Sequence, residues 1–120
     1  MLVSKSAGSV EVISVDHDAL VSALKKTAGK IKAQVNGVSQ IVLFGSVARG
    51  EELPSSDIDI LIIITKTNVP FLNRRDEFVD YFGDIPLNVN PLVYSEDELL
   101  ALQQQENGFI KQALSEGIAL

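Results

Sequence analysis

Residues 41–64 read Ile-Val-Leu-Phe-Gly-Ser-Val-Ala-Arg-Gly-Glu-Glu-Leu-Pro-Ser-Ser-Asp-Ile-Asp-Ile-Leu-Ile-Ile-Ile. An apolar strand runs into a Gly45-Ser46 turn, and ten residues later Asp57-Ile58-Asp59 opens a second apolar strand. Side chains two apart on a strand share a face, about 6.6 Å from one another at roughly 3.3 Å per residue. Asp57 and Asp59 therefore face one way, while Ile58 and Ile60 can face the opposite layer. Such a pair suits Mg²⁺, which prefers oxygen ligands and keeps positions open for water and substrate phosphates. In two-metal sites the ions clamp the attacking and leaving oxygens of an in-line displacement. Without a cation, one of two like charges this close tends to hold its proton.

The glycine-serine half has a logic of its own. Gly45 allows a tight turn and a close approach of ligand to backbone. Ser46 is a good helix N-cap, so Val47, Ala48 and Arg49 are expected to begin a short helix that Gly50 ends. Free N–H groups at a helix start attract anions. Ser46 is placed to hydrogen-bond a terminal phosphate, and Arg49 to pair with a phosphate or with Glu51 or Glu52. A phosphate cradle beside a carboxylate pair points to transfer of a nucleotide from a triphosphate.

Working outward, the whole chain reads as one domain over residues 1–120, with 1–9 as a loose N-terminus. At 46% hydrophobic and 22% charged, it has the composition of a globular protein able to form a core. It lacks cysteine, which excludes disulfides and thiolate metal sites. The longest apolar run is far short of the ~20 residues of a membrane helix. Nor does the N-terminus carry a basic region followed by an apolar core. No membrane association and a cytoplasmic location are expected. The net charge of −6 argues against direct nucleic-acid binding, which usually needs a basic face. Lys25, Lys26, Lys30 and Lys32 fit the wet side of a helix.

Val10, Val12 and Ile13 are expected in a short edge strand. Asp16 or Asp18 then caps a helix with Leu20, Leu24, Ile31 and Val35 inward, ending near Asn36-Gly37. Strands are expected over 39–44, 57–65 and roughly 86–94. A helix from Pro70 to Phe82 carries Phe71, Phe78 and Phe82 on its inner stripe, with Arg74, Arg75, Asp76 and Glu77 outside. Ser95-Glu96-Asp97-Glu98 is a capping-box signature. The helix after it pauses near Asn107-Gly108, resumes through Phe109, Ile110, Ala113 and Leu114, and stops at Gly117. His17 sits between two aspartates, but consecutive side chains at a helix start diverge, so a solvated position is expected. With one histidine and no cysteine, no Ser/His/Asp or Cys/His set can be assembled.

Gly45-Ser46, Ala48-Arg49-Gly50 and Asp57-x-Asp59 together resemble the minimal nucleotidyltransferase family of the DNA polymerase β superfamily. The likeness spans residues 16–120, including Ser-Asp-Ile-Asp-Ile at 56–60 and the closing segment from Phe109 to Ile118. It implies an α/β (α+β) fold, a small mixed sheet flanked by helices. It also implies Mg²⁺ held by Asp57 and Asp59, with ATP as the usual nucleotide, bound by Gly45, Ser46 and Arg49. Many such short proteins pair with a helical HEPN-type partner as the antitoxin of a toxin–antitoxin system, and some transfer AMP onto it. A homo-oligomer is compatible with the same size.

One departure is chemical. The superfamily carries a third acid on a neighbouring strand, where this chain has Asn88 and Asn90, and Asn88 between Leu87 and Val89 is the best positional match. Asparagine can coordinate through its carbonyl oxygen or hold a hydroxyl, but it cannot act as general base. Losing general-base help of typically 10²–10⁴-fold leaves a slow enzyme rather than none. The alternative expectation is a non-catalytic module that binds nucleotide and neutralises its partner by covering it. Transfer to a small molecule such as an aminoglycoside is weaker, since it would need a further acceptor-binding domain.

Overall fold

The structure is a computed structural model that describes residues 1–8, 10–105 and 108–120. Strands β1 (Leu2–Ala7) and β2 (Val10–Val15) form an antiparallel hairpin. Helix α1 (His17–Gln34) leads into β3 (Val38–Phe44), and β4 (Ile58–Ile64) follows. Helix α2 (Phe71–Val79) and a 3₁₀ turn (Asp80–Phe82) cross over to β5 (Val89–Ser95). Helices α3 (Glu96–Gln104) and α4 (Gly108–Glu116) precede β6 (Ile118–Ala119). The main sheet has the order β5-β4-β3-β6; β4 is parallel to β5 and antiparallel to β3. This is the expected mixed sheet with helices.

The unbroken apolar runs of β3 and β4 follow from burial on both faces. Ile41, Leu43, Ile58, Ile60 and Ile62 pack with Leu20, Leu24 and Ile31 of α1 and with Phe78 and Phe82. Val42, Phe44, Leu61 and Ile63 meet Ala113 of α4 on the other face, with Leu99 of α3 packed beside them. By strand alternation, Asp57 and Asp59 share the second face with Leu61 and Ile63. Two facts tie that face together. A Cβ on Gly117 would lie 2.3 Å from Val42 Cγ1 and 2.4 Å from the Ala113 carbonyl oxygen, so only glycine lets α4 turn directly into β6. β6 then pairs with β3 at Val42 and Leu43.

Asp16 is the N-cap of α1, its carboxylate accepting from Ala19 N–H at 3.1 Å. The capping box of α3 is present with both of its bonds, Ser95 to Glu98 and back. Gly29 sits in the middle of α1 without interrupting it. All four lysines of α1 are exposed.

Several expectations need correction. The supposed loose end, residues 1–9, holds β1, whose polar run (Ser4, Lys5, Ser6) hid a strand that pairs with β2. β5 begins at Val89, later than expected, because Pro86 cannot donate to a ladder. Residues 45–50 form turns rather than a short helix: Glu51 N–H reaches the Ser46 carbonyl at 2.9 Å, and Gly50 adopts φ +72°. Phe71 is exposed and stacks at a tilt on Tyr94, 5.1 Å between centroids, rather than lining the inner stripe. The expected pause at Asn107 falls outside the described residues. None of the described helices is long and apolar enough to cross a membrane.

Candidate functional site

The antiparallel register of β3 and β4 sets Asp59 opposite Phe44, the residue just before Gly45. The turn and the acid are thereby forced together. A Cβ built on Gly45 would lie 2.5 Å from Asp59 Oδ2, and Gly45 sits at φ +79°, so no other residue fits without moving the carboxylate. Beyond it, the N–H groups of Ser46, Val47 and Ala48 and the Ser46 hydroxyl have no partner among the described residues. Such a row of unclaimed donors is what an anion would take up.

The parallel register of β4 and β5 sets Asp59 beside Asn90 and Ile58 beside Val89. Asn88 Nδ2 donates to Asp57 Oδ1 at 3.0 Å, and the Asn90 side chain hydrogen-bonds Asp59. Each aspartate thus has an asparagine at its side. Asn88 is the partner of Asp57 and Asn90 the partner of Asp59, so both asparagines flank the acidic pair. Burial pushes the Asp59 carboxyl above its ordinary range, against the hydrogen bond from Asn90; the charge on Asp57 adds to the rise and Arg49 opposes it. Asp57 is exposed.

These donors can be weighed against a divalent cation. Two carboxylates on one face and two amide oxygens are hard oxygen ligands of the type Mg²⁺ takes. The raised Asp59 carboxyl and its like-charged neighbour would both be relieved by a positive ion. Among the described residues no cluster of three His, Cys, Asp or Glu exists, so the carboxylates number two. The residues fit a single Mg²⁺ better than a pair of ions.

Arg49 is exposed at the mouth. It donates from Nε to Glu51 Oε2 at 3.2 Å and lies 3.5 Å from Glu116 Oε2. The Glu51 hydrogen bond holds the guanidinium above its already high ordinary pKa. Sequence reasoning anticipated an acid at 51 or 52 but missed Glu116, which is distant in sequence.

A profile of the nucleotidyltransferase domain matches residues 24–120, from the middle of α1 to the end of the chain. The chain belongs to the nucleotidyltransferase domain family. Residues 1–23, with the hairpin, lie before the match. A protein of Methanocaldococcus jannaschii named "Putative protein adenylyltransferase MJ1379" is 30% identical over 81 residues, covering 68% of this chain and 74% of that protein. Among solved structures, one described as a "putative nucleotidyltransferase" from Sulfolobus solfataricus superposes with a TM-score of 0.60. The two are 20% identical, over 86% of this chain and 80% of that one, a likeness of fold.

Two charged residues of this nucleotidyltransferase domain depart from their expected surroundings. Arg74 is not solvated: its side chain is 10% exposed. It donates to the Val69 and Val93 carbonyls and, in two-pronged fashion, to both oxygens of Glu98 at 2.6 and 3.2 Å. Its donors are thereby spent at the C-terminal end of β5. His17 is not simply solvated either. Its Nδ1 pairs with Glu52 Oε1, and the Glu52 side chain is 4% exposed with Oε2 unpartnered. The start of α1 is thereby tied to the segment that follows the glycine-serine turn.

Proposed function

We propose that this chain is a Mg²⁺-dependent nucleotidyltransferase that moves AMP from ATP to a hydroxyl of a partner protein. The observation that carries this reading is the contact of Gly45 with the Asp59 carboxylate, which sets the phosphate turn and the metal ligands side by side. The name of the Methanocaldococcus relative supports the choice of nucleotide.

Gly45 and Ser46 hold the β- and γ-phosphates through backbone N–H groups and the Ser46 hydroxyl, and Arg49 neutralises phosphate charge. Asp57 and Asp59 hold Mg²⁺, which when bound neutralises the charge that develops on the reacting oxygens. Asn88 orients the acceptor. The acceptor oxygen forms a bond to the α-phosphorus, the bond to the β-phosphate oxygen breaks, and pyrophosphate leaves. The groups beside the metal ligands are the amides of Asn88 and Asn90, which cannot take the acceptor proton, so it passes to solvent at the exposed Asp57 edge. Transfer is correspondingly slow. The acceptor is a helical HEPN-type partner, and the chain acts as its antitoxin in the cytoplasm.

A second reading rests on Asn88 and Asn90. With amides where a third acid would complete the site, the chain neutralises its partner by complex formation alone. Protein, ATP, Mg²⁺ and a HEPN-type partner are incubated together and the partner is weighed by mass spectrometry. An AMP adduct that disappears with Asp57→Ala plus Asp59→Ala supports transfer. Partner inhibition without an adduct, surviving loss of both aspartates, supports the second reading and refutes the first.

A further inference from the structure

A buried carboxylate that the proposed mechanism does not use stands behind the glycine-serine turn. The Glu52 side chain is 4% exposed, although residues 48–57 as whole residues are half-buried or exposed. No apolar residue of that connection is fully buried, and Leu53, next in the chain, is 64% exposed. Glu52 is therefore the side chain that ties the connection to the interior. A carboxylate removed from water needs partners there. Its Oε1 accepts from His17 Nδ1, and its Oε2 has none among the described residues. An ionised carboxylate accepts and does not donate, which places a proton on Nδ1.

Both sides of this contact lead to fixed structure. His17 is the first residue of α1, just behind the Asp16 cap and three residues before Leu20, which is 0% exposed. It lies before residue 24, where the family match begins. Glu52 follows Glu51, whose N–H donates to the Ser46 carbonyl at 2.9 Å. Inside that ring, Gly50 N–H donates to the Val47 carbonyl at 3.1 Å and Arg49 N–H to the Gly45 carbonyl at 3.3 Å. The carbonyls of the turn are thus satisfied within it, and its N–H groups at 46–48 are left for a ligand. Val47, at 0% exposed, fixes the near end of the turn in the core, and Glu52 fixes the far end against α1.

A row of backbone donors holds phosphate well when it is already in place, because otherwise the entropy of ordering it falls on binding. We infer that His17 and Glu52 are positioning residues: their contact holds residues 45–52 in the shape that presents the 46–48 N–H groups to the triphosphate. They act through the turn and not on the nucleotide. The inference rests on the reading of Gly45 and Ser46 as the phosphate turn, and it gives the head of α1 a part in nucleotide affinity.

Amide hydrogen exchange of the ligand-free full chain, read by mass spectrometry, and calorimetric titration with tripolyphosphate in Mg²⁺ test it together. His17→Ala and Glu52→Ala are each expected to speed exchange over 45–52 while 20–34 and 58–64 exchange as in wild type. Each should raise the Kd for tripolyphosphate about tenfold, the effect of losing one hydrogen bond to a charged group. The double variant should be no worse than either single one, since both remove the same contact. His17→Asn, whose Nδ2 can stand where Nδ1 stood, should return exchange and affinity toward wild type; a variant no better than His17→Ala counts against the contact. A role confined to stability would lower the melting temperature and leave the tripolyphosphate Kd alone. Exchange unchanged over 45–52, or faster throughout the chain, overturns the inference, as does an unaltered Kd in variants of a wild type that binds; the phosphate reading then stands. Wild type that does not bind tripolyphosphate overturns both.

Discussion

The two ends of β5 handle charge in opposite ways. At its C-terminal end Arg74 reaches the Val93 carbonyl and both oxygens of Glu98, so the positive and negative groups cancel. At its N-terminal end Asn88 and Asn90 meet Asp57 and Asp59 with neutral amides, and both negative charges are left standing. A charge-assisted, two-pronged bond is strong and locks geometry. A pair of carboxylates with only amide partners is a cost to folding that a bound cation would remove. The first end settles its charges within the fold; the second leaves two carboxylates beside neutral amides.

This contrast can be broken first at the aspartates. Asp57→Ala with Asp59→Ala is expected to reduce nucleotide transfer by 10³ or more, consistent with the ~10²–10³ lost on removing one electrostatic stabiliser. Thermal melting of the same variant at pH 7 should show no loss of stability. A large destabilisation would mean that the pair is structural after all.

Gly45→Ala comes next. Its Cβ would meet Asp59 Oδ2 at 2.5 Å, at a φ that disfavours any side chain. Destabilisation of about 1–2 kcal/mol is expected, read by denaturant titration, with a loss of nucleotide affinity beyond what that destabilisation explains.

At the other end the effects should reverse. Arg74→Met is expected to cost about 1–2 kcal/mol of stability and to leave ATP affinity as it was. The same latch has a pH signature. Arg74 holds the Glu98 carboxyl down at about 2. Because the folded value is depressed, the stabilisation is complete above the ordinary value of 4.5 and is lost as pH falls toward 2. Glu98 is 40% exposed, so the contribution is about 1 kcal/mol after screening by solvent. Acid unfolding followed by circular dichroism should lose this component in Glu98→Gln.

The smallest effect belongs to Asp59 alone. Its folded pKa is raised, so its stabilising contribution is present below 3.8 and lost as pH rises through the folded value. Asp59→Asn should therefore melt slightly higher than wild type at pH 7, by about half a kcal/mol. Mg²⁺ should raise the melting temperature of wild type more than that of the variant.

How much of this was legible in the sequence depended on distance along the chain. The shared face of Asp57 and Asp59 follows from strand period alone, and the capping of α1 and α3 from residues three apart. The contact of Gly45 with Asp59 was implied by two consecutive strands joined through the single connection 45–57. The Arg74–Glu98 latch was not legible, because 24 residues and a crossover separate its halves, and Glu98 already had a capping role that accounted for it. Glu116 at Arg49 was hidden for the same reason: 67 residues separate the pair, and β6, which brings α4 back along β3, is a strand of two residues too short to carry a pattern. Of the hairpin, β2 was expected and β1 was missed, because the first run lacked a clear apolar alternation.

The parallel, in-register pairing of β4 with β5 has a consequence for how such a protein changes over time. It stations Asn88 and Asn90 at the flank of the acidic pair already, so exchanging one amide nitrogen for oxygen yields the fully acidic constellation at unchanged volume and backbone. On the proposed reading, potency is separable from architecture: the scaffold stays as it is, and one isosteric replacement turns its chemical strength up or down.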